Sequence, residues 1–86
     1  MGVQFDDKAV GAVIRSLRRE RELSQEVLSG LSGIARTHLT MIERGVKQPN
    51  FETIWRIANA LNLRPSELVL LVEQQIEKID ADTKTE

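Results

Sequence analysis

The stretch ARTHLTMIERG, residues 35–45, sets four hydrogen-bonding side chains, Arg36, Thr37, Thr40 and Arg44, against two apolar ones, Leu39 and Ile42. On a wheel of about 100° per residue, Arg36, Thr37, Thr40, Met41 and Arg44 fall within one arc of roughly 140°. Leu39 and Ile42 fall on the opposite side, with Ala35. A short helix of this kind is anchored by one side and presents donors on the other. Its chemistry is recognition of acceptors rather than bond making. The chain has one histidine and no cysteine, so a histidine metal site or a His-based triad has nothing to pair with. No paired carboxylates, nucleophile–base set or phosphate-cradling glycine loop is visible, and neither an enzyme nor a cofactor nor a small-molecule ligand is expected.

The elements that must position this helix are legible in turn. Asp6 or Asp7 can cap a first helix running to about Arg21, with Val10, Ile14 and Leu17 as its apolar stripe. Ser24 caps a second helix from Gln25 to about Leu31, and Gly33 punctuates the pattern. The third helix runs from about Arg36 to Arg44, where Gly45 suits the left-handed residue after a helix end. VKQPN is a loop. Asn50 caps a fourth helix whose buried side is read as Phe51, Ile54, Ile57, Ala58 and Leu61, with Trp55 beside it read as core and a ligand or partner role as its alternative. Asn62 can end that helix. Pro65 fits the first turn of a fifth, over about 65–80, with Glu67 near its positive end. Residues 81–86 read as a polar tail. No strand pattern appears, so the expected class is all-α, a compact five-helix domain over residues 1–80.

With 86 residues the chain holds one small domain. Aromatics are only 3% of it, so the core must be aliphatic. A small aliphatic core without disulfides or metal is marginal, and oligomerisation is a common remedy. No apolar run is long enough to span a bilayer. The segment MGVQFDDK lacks the pattern of a signal peptide, and Asp6 stands where a myristoylation signal wants Ser or Thr. A cytoplasmic location is expected. From Lys8 to Arg64 there are ten Lys/Arg and five Asp/Glu, whereas from Pro65 onward there are two and six. A basic body with an acidic end suits an anionic partner for the body only; ordinary solvated charge is the alternative reading of the asymmetry alone.

A helix, a tight turn with glycine and a second helix with a donor-rich face form a helix-turn-helix. LSQEVLSGLSGIARTHLTMIERG followed by QPNFETIWRIANALNLRPSEL resembles the lambda-repressor-like helix-turn-helix family (Cro/CI or XRE). The resemblance runs without a gap from Leu23 to Leu68 and places the helix-turn-helix at about 24–44. It rests on LSQ, Gly33, IERG, the Pro49 loop and the fourth helix. Two positions depart from the family pattern: Ala35, where a capping residue is usual, and Gly30–Leu31, where polar residues are common.

The resemblance implies double-stranded DNA as partner, with the helix from Gln25 crossing the backbone and the helix from Arg36 in the major groove. Arg36, Thr37, Thr40 and Met41 are then expected at base edges, with Thr40 on the border of the phosphate track. Ser24, Gln25, His38, Arg44, Lys47 and Asn50 are expected at the backbone. Met41 as a spectator and His38 as a plain surface histidine are the alternatives. Glu43 is matched to a family glutamate that pairs with the arginine equivalent to Arg18. The implied function is a sequence-specific transcriptional regulator, similar in size to restriction-modification controllers and small phage repressors and without room for a ligand-sensing domain. An antitoxin or adaptor module on the same fold is the alternative. Leu68, Leu71, Val72, Ile76 and Ile79 make the stripe one packed face requires, and the run Leu68–Val72 exceeds it; a thickened aliphatic core is the alternative use of Val69 and Leu70. Val69, Leu70, Glu73 and Ile76 are therefore expected at a homodimer interface, and a dimer implies a palindromic operator.

Overall fold

The computed structural model describes residues 4–84. It contains five helices: α1 (Ala9–Glu20), α2 (Gln25–Ser32), α3 (Arg36–Glu43), α4 (Phe51–Ala60) and α5 (Pro65–Lys84). There is no strand among the described residues, so the chain is all-α as expected. The start of the chain read for targeting signals, Met1–Val3, and Thr85–Glu86 of the tail lie outside the described residues.

Helix starts and stops follow local chemistry. Ser24 Oγ accepts the Val27 N–H at 3.0 Å, and Asn50 Oδ1 accepts the Thr53 N–H at 2.8 Å. Glu67 reaches back to the Arg64 N–H at 2.7 Å. At α1 the turn is set by Asp6 alone: its carboxylate accepts the Lys8 N–H at 2.8 Å and its carbonyl the Ala9 N–H at 3.1 Å. The four helices α1–α4 all stop in one way. Glu22, Gly33, Gly45 and Asn62 adopt left-handed backbone at φ 56°, 70°, 75° and 60°. The N–H of the next residue then turns back to a carbonyl five residues earlier: Leu23 to Arg18, Ile34 to Ser29, Val46 to Met41, Leu63 to Ala58. This is the Schellman arrangement, which satisfies carbonyls a helix end leaves open. The residue after each left-handed position is apolar, and Leu23, Ile34 and Leu63 fold against the core. The end of α1 near Arg21, at ELS, is as the sequence predicts; the left-handed backbone of Glu22 is not, since a glutamate carries no signal for it.

The core is aliphatic throughout. Its largest fully buried members are Ile14 of α1, Leu28 of α2, Leu39 and Ile42 of α3, Ile57 and Leu61 at α4 and its end, and Leu68 of α5. Three expectations are corrected. Phe51 and Trp55 are not core: they are 68% and 50% exposed and meet each other edge to face at 6.1 Å. Ile76, expected at a dimer interface, is only 8% exposed and joins Leu68 and Val72 in this chain's own core. Helix α5 does not stop near residue 80 but continues to Lys84, with Thr83 Oγ1 donating to the Ile79 carbonyl at 3.0 Å.

Candidate nucleic-acid interface

Helix α3 is eight residues long, has no side-chain cap at Ala35 and carries no acidic residue in its first turn. Local chemistry alone would not hold it, because an isolated helix of that length is unstable in water. It is held from outside. Leu39 and Ile42 are buried. Gly11 of α1 lets the two helices touch backbone to backbone: a Cβ there would collide with the Ile42 carbonyl oxygen and approach that of Glu43 to 2.8 Å.

A polar clamp completes the attachment. The Glu43 side chain is 2% exposed and accepts from Arg18 Nε at 2.7 Å and from its terminal nitrogen at 3.0 Å. Arg18 also donates to the Leu23 carbonyl at 2.8 Å. Its pKa is raised above the usual arginine value, chiefly by the hydrogen bond to Glu43, with the carboxylate's charge adding and burial opposing. Gln25 Nε2 gives a third bond to Glu43, at 3.0 Å. The Thr40 hydroxyl stands 3.0 Å from both Gln25 Oε1 and the Arg36 carbonyl, and can donate to either. One continuous set of bonds thus ties α1, the start of α2 and the outer face of α3. The pairing of Arg18 with Glu43 is as the resemblance implied.

Against this fixed frame, Arg36 and Thr37 are exposed at the first turn of α3. Neither side chain makes a hydrogen bond among the described residues. Arg44 and Lys47 are exposed as well, whereas His38 and Met41 are half-buried. Other predicted site residues are partly engaged inside the molecule. The Ser24 and Asn50 oxygens cap helices. Both polar ends of the Gln25 amide are bonded to protein, and the Thr40 hydroxyl turns toward Gln25 rather than standing free.

Sequence reasoning missed three supports. Gly11 reads as a weak spot in a helix, and its close approach has no local signature. Lys8 Nζ donates to the Arg44 carbonyl at 3.3 Å, and Gln48 Nε2 donates to the Asp7 carbonyl at 2.6 Å. These two bonds tie the start of the chain to the loop after α3. Among the described residues no group of His, Cys, Asp and Glu could hold a metal ion, and no helix is long and apolar enough to cross a membrane.

Known proteins share this sequence pattern and this fold. The HTH_3 helix-turn-helix model matches residues 14–68. The uncharacterized HTH-type transcriptional regulator y4dJ of Sinorhizobium fredii is 39% identical over 62 residues, which cover 72% of this chain and 80% of that protein. The restriction-modification controller protein C.AhdI of Aeromonas hydrophila superposes with a TM-score of 0.70 at 38% identity, covering 73% of this chain and 96% of that one. The controller C.Esp1396I, solved as a tetramer on its natural 35-base-pair operator, shares the fold with a TM-score of 0.76 at 24% identity, over 86% and 97% of the two chains. The stretch from Ile14 to Leu68, with its clamped third helix, makes this chain a member of the HTH_3 helix-turn-helix family of DNA-binding transcriptional regulators, which are not enzymes.

Proposed function

We propose that the chain is a sequence-specific regulator that acts in the cytoplasm by laying α3 in the major groove, as a homodimer on a palindromic operator. The observation that carries this reading is the contrast within α3. Its C-terminal half is locked by the Arg18–Glu43–Gln25 clamp, while Arg36 and Thr37 stand exposed at its start. An arginine in that place can bond guanine O6 and N7 together. Thr37 is the second base reader and Met41 an apolar one. Thr40 acts through Gln25, as a brace of the groove helix. Ser24, Gln25, His38, Arg44, Lys47 and Asn50 form the phosphate track. The same fold sits on operator DNA in C.Esp1396I, which supports the docking mode.

The test begins with selection of bound sequences from a random pool by the purified chain alone. A gel shift on the selected site should weaken steeply with salt. Arg36→Ala should cost about 1–3 kcal/mol on that site and much less on random DNA. Equal losses on both make Arg36 a phosphate contact. A chain that shifts no DNA without a second protein favours the adaptor or antitoxin reading.

The dimer rests on α5, where Val69 and Leu70 are 47% and 49% exposed beside Phe51 and Trp55. Twofold pairing would set two α3 helices about 34 Å apart, one DNA turn. Sedimentation at micromolar concentration should give twice the chain mass, and Leu70→Glu should halve it. A monomeric wild type removes the dimer and the palindrome.

A further inference from the structure

The apolar patch on α4 and α5 has charged ends of opposite sign. Phe51, Trp55, Val69 and Leu70 line a shallow groove of about 660 Å³, and Arg64 and Glu73 line it too. Arg64 precedes the first turn of α5, and Glu73 lies two turns farther on. Both are exposed, and neither side chain makes a hydrogen bond or ion pair among the described residues; Arg64 bonds only through its backbone, its N–H donating to the Glu67 carboxylate and its carbonyl accepting from the Glu67 and Leu68 N–H groups. The groove thus has Arg64 at one end, apolar residues in its middle and Glu73 at the other, with Glu77 one turn beyond; Glu67, in the first turn of α5, does not line it and is turned back to the Arg64 N–H.

Such a strip is complementary to itself when run antiparallel. A twofold axis through Val69–Leu70 sets residue 64 of one copy level with residue 75 of the other. Glu73 is then offset by two residues, about 3 Å along the axis at about 1.5 Å per residue, well within the reach of an arginine side chain. Parallel pairing would instead set like charges together. We infer that the partner of this face is a second copy of the chain, and that two symmetric ion pairs, Arg64 of each copy with Glu73 of the other, fix the antiparallel register around the aromatic and aliphatic centre. The inference rests on the dimer reading given above and adds its orientation and its specificity device. Charges at such a rim choose the partner and register, while the apolar centre supplies most of the affinity.

Charge reversal tests it. Arg64→Glu and Glu73→Arg should each weaken dimerisation about tenfold or more in low salt, since each turns two attractions into two repulsions, and the loss should shrink in high salt. The double variant Arg64→Glu/Glu73→Arg should dimerise within a few-fold of the wild type. Mixing the two single variants should give a heterodimer tighter than either homodimer, because every facing pair is then opposite in sign. Circular dichroism of each chain checks folding, which these exposed side chains do not determine. Single variants that dimerise like the wild type, or a double variant no better than the singles, overturn the pairing while leaving the dimer in place. A monomeric wild type overturns both.

Discussion

The two helices of the helix-turn-helix unit are each eight residues long and are stabilised in opposite ways. Helix α2 is well built locally. Ser24 caps its start, Glu26 sits in its first turn and Gly33 closes its end at φ 70°. It packs on α3 and α4, but what it buries there is largely polar: Leu28 and two serines, of which Ser29 bonds the Glu26 carbonyl and the Ser32 hydroxyl has no partner among the described residues. Helix α3 has neither cap nor acid at its start, yet buries Leu39, Ile42 and a paired glutamate against two other helices. A helix whose first turn must stay open to a ligand keeps its stability at the other end, in tertiary contacts. If this is right, α3 should be sensitive to distant changes and α2 to its own cap.

The largest effect is expected at Glu43. Glu43→Ala leaves the Arg18 guanidinium, whose side chain is 11% exposed, and the Gln25 amide without their partner. Removing one member of a buried pair costs about 3–5 kcal/mol, so thermal unfolding should fall far below that of Glu52→Ala, which breaks only an exposed pair with Arg56. A double-mutant cycle of Arg18 and Glu43 should show strong coupling. No coupling would return α3 to dependence on apolar packing alone.

Gly11 comes next and tests the sign of the argument. By helix propensity alone Gly11→Ala should stabilise α1 by about 1 kcal/mol. The backbone contact with Ile42 and Glu43 says the reverse. Overpacking of this kind costs about 1–3 kcal/mol, and here backbone rather than a flexible side chain stands in the way. A net loss of about 2 kcal/mol in denaturant unfolding is expected, with weaker DNA binding because α3 is displaced. A stabilised variant would mean that the two helices separate freely.

What could be read from the sequence follows the same division. Caps and stops at Ser24, Asn50, Gly33, Gly45 and Asn62 are local chemistry and were legible. So was the stripe of α1, since periodicity reports which side of a helix is apolar. The pairing of Arg18 with Glu43 spans 25 residues and came only from family resemblance. Phe51 and Trp55 were misplaced because a wheel gives a direction, not what lies in that direction, and beyond them there is open surface. Ile76 differs in the opposite sense: the helical stripe of α5 includes it, and it is buried in the chain's own core with Leu68 and Val72 rather than left for a partner. The inward turn of Thr40 depends on Gln25, 15 residues away, which no helical pattern encodes. The continuation of α5 to Lys84 carries little apolar signal.

The cap of α2 should give a smaller loss than either tertiary change. Ser24→Ala removes the acceptor of the Val27 N–H and should cost about 1 kcal/mol, or about 4–8 °C in thermal midpoint for a domain of this size. Gln25, one residue on, should keep its bonds to Glu43 and Thr40, so the preference among DNA sequences should persist. A loss as large as that of Glu43→Ala would place the weak point of the unit in α2.

The smallest effect is a gain. Ala35 is exposed and already has the extended backbone of a capping residue, at φ −68° and ψ 143°. Ala35→Ser would supply an acceptor for an open N–H of the first turn of α3 without moving the chain. Capping serines contribute about 0.5–2 kcal/mol, and the gain here should lie at the low end, about 0.5 kcal/mol, because α3 is already held helical by Glu43, Leu39 and Ile42. Thermal unfolding measures it, and amide exchange at Thr37 and His38 locates it, since these N–H groups should be less protected than that of Val27 in the wild type and should slow in the variant. A gain well above 1 kcal/mol would mean that the uncapped start, and not the clamp, limits the stability of α3. The two helices would then be governed by the same local rule after all.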